Sequence, residues 1–333
     1  MKDNILLEVK NLRTTFYNRG NKIEAVRGIS FHVGKSEILG VVGESGSGKS
    51  VAMKSILGIV PRNAKIEQGE IFFEGKDLLK VSKAERSSIK GKKLAMIFQD
   101  PMTALNPVKK IGFHMEEVII RHKKINKASA KKMAIEMLRK VGMPMPEKRL
   151  DEYPHEFSGG MRQRVLIAMA LSCGPKLLIA DEPTSALDVT IEAQILELIR
   201  DLQEKEGMSV IIITHDLGVV ASLCSRISVM YAGMIMEEGT TREIFYSPKH
   251  PYTKALLNSI PKVSDVKERL RPIKGTAPSL LNPPKGCPFA ERCEFVMDIC
   301  SSKIPEYTNF SSTQRCMCFL SDKEEKNNGQ VFK

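Results

Sequence analysis

Apolar residues along the first hundred positions fall in short blocks at 6–12, 29–33, 37–42, 71–73 and 94–98, each closed by glycine or polar residues. Blocks of that length predict strands separated by turns. From about 108 to 174 the period changes. Met133, Ala134, Met137, Leu138 and Val141 recur at helical spacing, with Asn126 placed to cap the helix and Gly142 then Pro144 to stop it. Strands are predicted again at 176–180, 210–214 and 228–231, with a helix near 191–205 between the first two. Short buried strands alternating with helices predict an α/β fold whose core sheet is mostly parallel, with an antiparallel β edge. Past Gly239 proline becomes frequent, from Pro248 to Pro284. The chain therefore reads as a domain over 1–240, with a helical subdomain at about 106–170, and a small module over 241–333 ending in a polar tail from Asp322.

Composition narrows the class. Of 333 residues, 42% are hydrophobic and 27% charged, the balance of a globular protein with a substantial core. The longest apolar runs, such as 165–171, are far too short to span a bilayer. No apolar signal region follows Met1-Lys2-Asp3, so the chain is expected to stay in the cytoplasm. The net charge of +12 suits nucleic acid, an anionic membrane face or solubility alone. Its densest cluster, Arg121-His122-Lys123-Lys124 with Lys131-Lys132, follows a helical pattern and interleaves no aromatic residues. A solvated face is the expectation there, with no nucleic-acid partner.

Three stretches carry chemistry. Gly43-Glu44-Ser45-Gly46-Ser47-Gly48-Lys49-Ser50 lies between an apolar strand and a helical stretch, the setting of a phosphate loop. Glycines there let backbone N–H groups turn inward on a phosphate, and the helix N-terminus beyond adds partial positive charge. Leu177-Leu178-Ile179-Ala180-Asp181-Glu182 is an apolar strand ending in two carboxylates. Asp181 suits Mg²⁺, and Glu182 suits a base that orients an attacking water. Phe157-Ser158-Gly159-Gly160-Met161-Arg162-Gln163-Arg164 opens a further helix with a second anion-ready N-terminus. Within one subunit a second such site is redundant; across an interface it is not.

Seven cysteines in a chain expected to be cytosolic argue for thiols or metal ligands over disulfides. Cys173 and Cys224 stand alone among apolar residues, as inert buried thiols do. The other five, Cys287, Cys293, Cys300, Cys316 and Cys318, read C-x5-C-x6-C and then a closely spaced pair. That is neither the tight pairing of a zinc ribbon nor the ferredoxin run, and spacing leaves metal binding and chance crowding both open.

In order along the chain these strings resemble the ATP-binding subunit of an ABC transporter. Its markers are the loop at 43–50, Gln99 in Ile97-Phe98-Gln99-Asp100-Pro101, the signature at 157–161, the strand ending in Asp181-Glu182, Ser185-Ala186-Leu187-Asp188, and His215 after an apolar strand. The signature departs from the usual Leu-Ser-Gly-Gly-Gln at Phe157 and Met161. That variant, with His250-Pro251-Tyr252-Thr253-Lys254-Ala255-Leu256-Leu257 and the cysteine-bearing C-terminus, is similar to the peptide and nickel importers, the length favouring oligopeptide/dipeptide members.

The resemblance implies ATP and Mg²⁺ as cofactors. Gly43, Ser45, Gly46, Ser47, Gly48, Lys49, Ser50 and Val51 would hold phosphate, and Ser50, Gln99 and Asp181 would surround Mg²⁺. Glu182 would polarise water, His215 contact the γ-phosphate, and Gln99 couple the site to membrane subunits. Ser158, Gly159 and Gly160 would act on nucleotide held by another subunit, and Asp188 would also bind nucleotide. Phe16, or alternatively Tyr17, would stack on adenine. The Cys-Pro-Phe…Arg-Cys…Cys segment resembles one that holds a 4Fe–4S cluster, implying Cys287, Cys293, Cys300 and a fourth ligand at Cys318, with Cys316 as the alternative. The implied partners are a second ATP-binding subunit (a related chain or this one), two membrane permease subunits and an external peptide-binding protein, with this chain peripheral on the cytoplasmic face. Two rivals remain open: a soluble ABC ATPase acting on nucleic acid or the ribosome, and an electron-transfer role for the cysteines.

Overall fold

The structure, a computed structural model, describes residues 4–18, 20–185, 187–259 and 273–321. Pro261, Pro272, Ala186 and the tail from Asp322 lie outside the described residues. Two compact units divide the chain. One comprises 1–7, 33–38 and 73–213; the other comprises 8–32, 39–72 and 214–333.

In the first unit, strands Leu94–Ile97, Leu177–Asp181 and Ser209–Thr214 run parallel, pairing Leu94 with Leu177 and Leu177 with Ser209. Leu177 to Ala180 and Val210 to Ile213 are wholly buried. A strand apolar at every position, covered on both faces, is what a parallel sheet requires. Helices Ile111–Lys123, Lys127–Lys140, Gly159–Leu171 and Val189–Glu206 follow from sequence signals. The Asn126 side chain accepts from the Ser129 N–H at 2.9 Å as expected of the cap, and Gly142 takes the left-handed conformation at φ 71° that ends the helix. Ala130, Ala134 and Leu138 form its buried stripe, at the spacing that had predicted it.

In the second unit, strand Ile38–Val42 runs parallel to Arg226–Tyr231, which pairs antiparallel with Met234–Thr240. Strand Arg315–Met317 pairs antiparallel with Met234–Thr240, and Tyr307–Asn309 extends the ladder. Strands Ile5–Asn18, Asn21–Gly34 and Ala64–Phe73 belong to a separate sheet in which Ile5–Asn18 is central. The first two run well past the apolar blocks that predicted them. The unit also holds helices Lys49–Leu57, Leu217–Leu223, Thr241–Tyr246, Pro251–Asn258 and Asp298–Ser302.

Met234–Thr240 is a strand that the hydrophobic pattern did not predict, because Glu237 and Glu238 stand in its middle. Both are nearly inaccessible, and both are satisfied. Glu237 accepts from the Lys249 and His250 N–H groups at 2.7 and 2.9 Å and from Gln314 Nε2 at 3.0 Å. Glu238 accepts from Arg226 Nη2 at 2.9 Å and Arg315 Nη2 at 2.8 Å. Buried carboxylates are tolerable on such terms, and no local periodicity announces them.

Candidate functional site

The phosphate-loop candidate follows strand Ile38–Val42 and leads into helix Lys49–Leu57. Gly43, Gly46 and Gly48 have φ of 150°, 77° and 96°. A Cβ on Gly43 would lie 2.0 Å from the Met230 carbonyl oxygen and one on Gly48 2.3 Å from that of Ala25, whereas one on Gly46 would meet open space. Two glycines therefore admit close backbone packing, and the third faces outward where a ligand would come. Lys49 is buried, and its Nζ donates to the Gly43 and Glu44 carbonyls at 2.7 and 2.9 Å and to Ser47 Oγ at 3.4 Å. Gly48 caps the helix without any side chain, so first-turn N–H groups point at whatever enters the loop. Ser45 is exposed, Ser47 buried, and Ser50 and Val51 half-buried.

Elsewhere in the same unit, His215 is exposed at the corner after strand Ser209–Thr214. The corner is fixed on both sides of it: the Asp216 N–H donates to Thr214 Oγ1 at 2.9 Å, and the Asp216 carboxylate caps helix Leu217–Leu223. Phe16 is half-buried near the end of Ile5–Asn18. Tyr17 is exposed and donates its hydroxyl to Glu67 at 2.8 Å, an engagement Phe16 lacks the atom to make.

In the other unit, Asp181 closes its strand at 2% exposure. Glu182 follows with φ 45°, a left-handed conformation that costs a non-glycine residue about 1–2 kcal/mol. Its N–H donates to the Ile213 carbonyl at 2.9 Å, which holds the turn in place. Gln99 Nε2 donates to Glu182 Oε2 at 2.7 Å, so two site candidates 83 positions apart in sequence meet. Ser158 caps helix Gly159–Leu171, accepting from the Met161 N–H at 3.3 Å. A Cβ on Gly160 would stand 2.6 Å from Ile191 Cγ2, so this glycine serves packing as well as any ligand. Asp188 is exposed at the start of Val189–Glu206, and its side chain makes no capping bond there.

The cysteines divide. Cys287, Cys293, Cys300 and Cys318 line one small pocket with His250, Phe289, Pro305 and Phe319; Cys316 is not among the lining residues. Cys316 is fully buried in strand Arg315–Met317, opposite Glu237. Gly286 makes the turn possible, since a Cβ there would lie 2.1 Å from the Cys300 carbonyl oxygen. Burial, with the neighbouring thiols adding to it, pushes Cys287 up to about 12 and Cys318 up to about 11. Thiolates there call for a compensating cation. Among the described residues, no three His, Cys, Asp or Glu stand at metal-holding separation, so the four thiols share a pocket without forming a closed ligand set.

Sequence reasoning missed the loop's second anchor. The Glu44 N–H donates to Tyr252 Oη at 3.0 Å and its carboxylate pairs with Arg292 at 2.8 Å. Tyr252 and Arg292 both lay inside strings noted for other reasons, and nothing local ties them to a loop more than 200 residues away.

Comparison with known proteins bears on this arrangement. The model of the ABC transporter family matches residues 26–185, and that of the oligopeptide/dipeptide transporter C-terminal region matches 236–300. The chain is 56% identical over 317 residues to the oligopeptide transport ATP-binding protein OppD of Bacillus subtilis, covering 95% of this chain and 88% of that one. It is 52% identical over 318 residues to the dipeptide transport ATP-binding protein DppD of the same organism, covering 95% of each. Among solved structures, a dimeric bacterial ABC transporter cassette superposes with a TM-score of 0.63 at 28% identity, covering 71% of this chain and 99% of that one. A dimeric cassette in a post-hydrolysis state bound to ADP and phosphate does so with a TM-score of 0.64 at 27% identity, over the same shares.

Proposed function

The chain belongs to the ABC transporter ATP-binding family, in its oligopeptide/dipeptide importer branch, and on that premise we propose how its residues divide the work. It is the ATP-hydrolysing subunit of a peptide importer, coupling hydrolysis to uptake through separate membrane permeases. Subunits of this kind function as dimers with those permeases. No helix among the described residues is long and apolar enough to cross a membrane, and we assign the chain to the cytoplasmic face. Its dimer partner is a related chain or a second copy, and a peptide-binding protein outside delivers substrate.

ATP binds through the loop. Gly43, Ser45, Gly46, Ser47 and Gly48 offer N–H groups, Lys49 exchanges its carbonyl partners for phosphate oxygens, and Val51 continues the helix whose dipole faces the anion. Ser50, Asp181 and Gln99 suit Mg²⁺: one hydroxyl, one buried carboxylate and one amide oxygen are the hard donors that ion takes. When bound, Mg²⁺ neutralises charge on the β- and γ-phosphates. Phe16 stacks on adenine, and His215 contacts the γ-phosphate. Ser158, Gly159 and Gly160 act on nucleotide held by the opposite subunit, and Asp188 also binds nucleotide.

Glu182 orients and polarises the attacking water, and the single observation that carries this assignment is its bond from Gln99. An amide donating to a carboxylate oxygen fixes the direction of the group, and the several lone pairs of a carboxylate let it accept from water as well. Glu182→Gln should bind ATP as the parent does and hydrolyse it about 10²-fold more slowly or worse. Turnover within tenfold of the parent would remove Glu182 from that role.

We assign 241–333 to a C-terminal module that holds a 4Fe–4S cluster through Cys287, Cys293, Cys300 and Cys318, with Cys316 as the alternative fourth ligand. The donor set fits in chemistry: four soft thiols share one largely apolar pocket. The thiols do not stand at ligand separation, so side-chain rearrangement would have to close the set on the cluster. The cluster would cross-link a segment with little core of its own.

A further inference from the structure

Glu44, the first variable residue of the phosphate loop, is fixed on three sides. Its carbonyl accepts from Lys49 Nζ at 2.9 Å and from the Ser47 N–H at 3.2 Å. Its N–H donates to Tyr252 Oη at 3.0 Å, and its Oε2 accepts from Arg292 Nη1 at 2.8 Å.

Arg292 is itself held rigidly. Its side chain is 6% exposed. Nη1 also donates to Tyr231 Oη at 3.0 Å, and Nε donates to the Lys274 carbonyl at 2.9 Å. The guanidinium lies over the rings of Tyr231 and Phe289, 5.7 and 6.0 Å from their centroids. Those two rings and Tyr252 pack together, with centroids 4.5 to 5.5 Å apart. A planar fork held from several sides gives up little further freedom in gripping a carboxylate.

A carboxylate in an anion-binding loop is a liability, because like charge at short range opposes a phosphate, the more so where water is partly excluded. Arg292 neutralises it. It also outlasts the lysine: once Lys49 turns from the Gly43 and Glu44 carbonyls to a phosphate, the Tyr252 and Arg292 bonds still hold that corner of the loop. The grip comes from the cysteine-bearing segment. Arg292 ends the turn Ala290–Arg292, directly before Cys293, and the Ala290 N–H donates to the Cys287 carbonyl at 3.1 Å.

We propose that Arg292 is a positioning residue for nucleotide binding: paired with Glu44, and together with Tyr252, it pins the N-terminal corner of the phosphate loop, cancels the Glu44 charge, and ties ATP affinity to the segment between Cys287 and Cys293. The inference rests on the assignment of the loop as the ATP site.

The test is MgATP binding by titration calorimetry on the full-length chain. Arg292→Met should bind about tenfold more weakly. Adding Glu44→Gln should restore most of that loss, because the unpaired charge is gone. Arg292→Gln keeps donors toward the same neighbours without the charge, carries the same expectation, and stands in if the methionine variant does not fold. If Glu44→Gln restores nothing, Arg292 acts only by holding its own segment together and the inference is overturned. Unchanged affinity in the Arg292 variants, with Lys49→Ala losing binding, overturns it while leaving the ATP site intact. Lys49→Ala binding MgATP as the parent does would overturn the site assignment and the inference with it.

Discussion

Gly43 and Gly46, three residues apart in one loop, do different work. Gly43 packs on a backbone oxygen that cannot move aside; Gly46 has a left-handed backbone and open space before it. Gly43→Ala should therefore lower the melting temperature of the nucleotide-free protein sharply or prevent folding. Gly46→Ala should cost about 1 kcal/mol, a shift of a few degrees, and instead weaken MgATP binding. Scanning calorimetry on both variants checks this, and equal losses of stability would refute the division. At this scale the sequence was informative wherever chemistry fixes spacing: the loop glycines, Lys49, and the carboxylate pair after an apolar strand. Arg292 escaped because an ion pair 248 residues apart leaves no trace in either local string.

Elements show the same split. The parallel strands at 177–181 and 209–214 were legible because full burial demands unbroken apolar runs. Strand Met234–Thr240 was not, since two of its residues are glutamates whose partners lie on other elements. Tyr307–Asn309 and Arg315–Met317, three residues each, exist by pairing and not by propensity. Glu238 is the joint among them, bridging Arg226 on one strand and Arg315 on another at 5% side-chain exposure. Glu238→Ala would leave both guanidiniums without this carboxylate in a largely buried setting, so we expect a loss of about 3 kcal/mol in urea unfolding. A loss below about 1 kcal/mol, the size typical of an exposed pair, would show that the bridge carries little.

For the whole molecule, the two family matches divide its business. Residues 26–185 match the general cassette, and 236–300 match a region particular to oligopeptide and dipeptide transporters. Cys287, Cys293 and Cys300 fall in the second. Protein purified without oxygen should carry about four irons per chain. Cys318→Ser should lose them, and Cys316→Ser, altering a thiol outside the pocket, should keep them. Stoichiometric zinc would overturn the cluster, and the reverse mutant pattern would move the fourth ligand to Cys316.

The central claim is that ATP hydrolysis by this chain drives peptide import, and uptake tests it most directly. A host stripped of its own peptide importers would receive the permeases, binding protein and ATP-binding partner with the parent chain, with Glu182→Gln, or with none. Uptake of a radiolabelled tri- to pentapeptide is measured, with a free amino acid as control. The account predicts peptide uptake with the parent, background uptake with Glu182→Gln and without the chain, and amino acid uptake equal in all three. Parent-level peptide uptake powered by Glu182→Gln, or in the chain's absence, would contradict it.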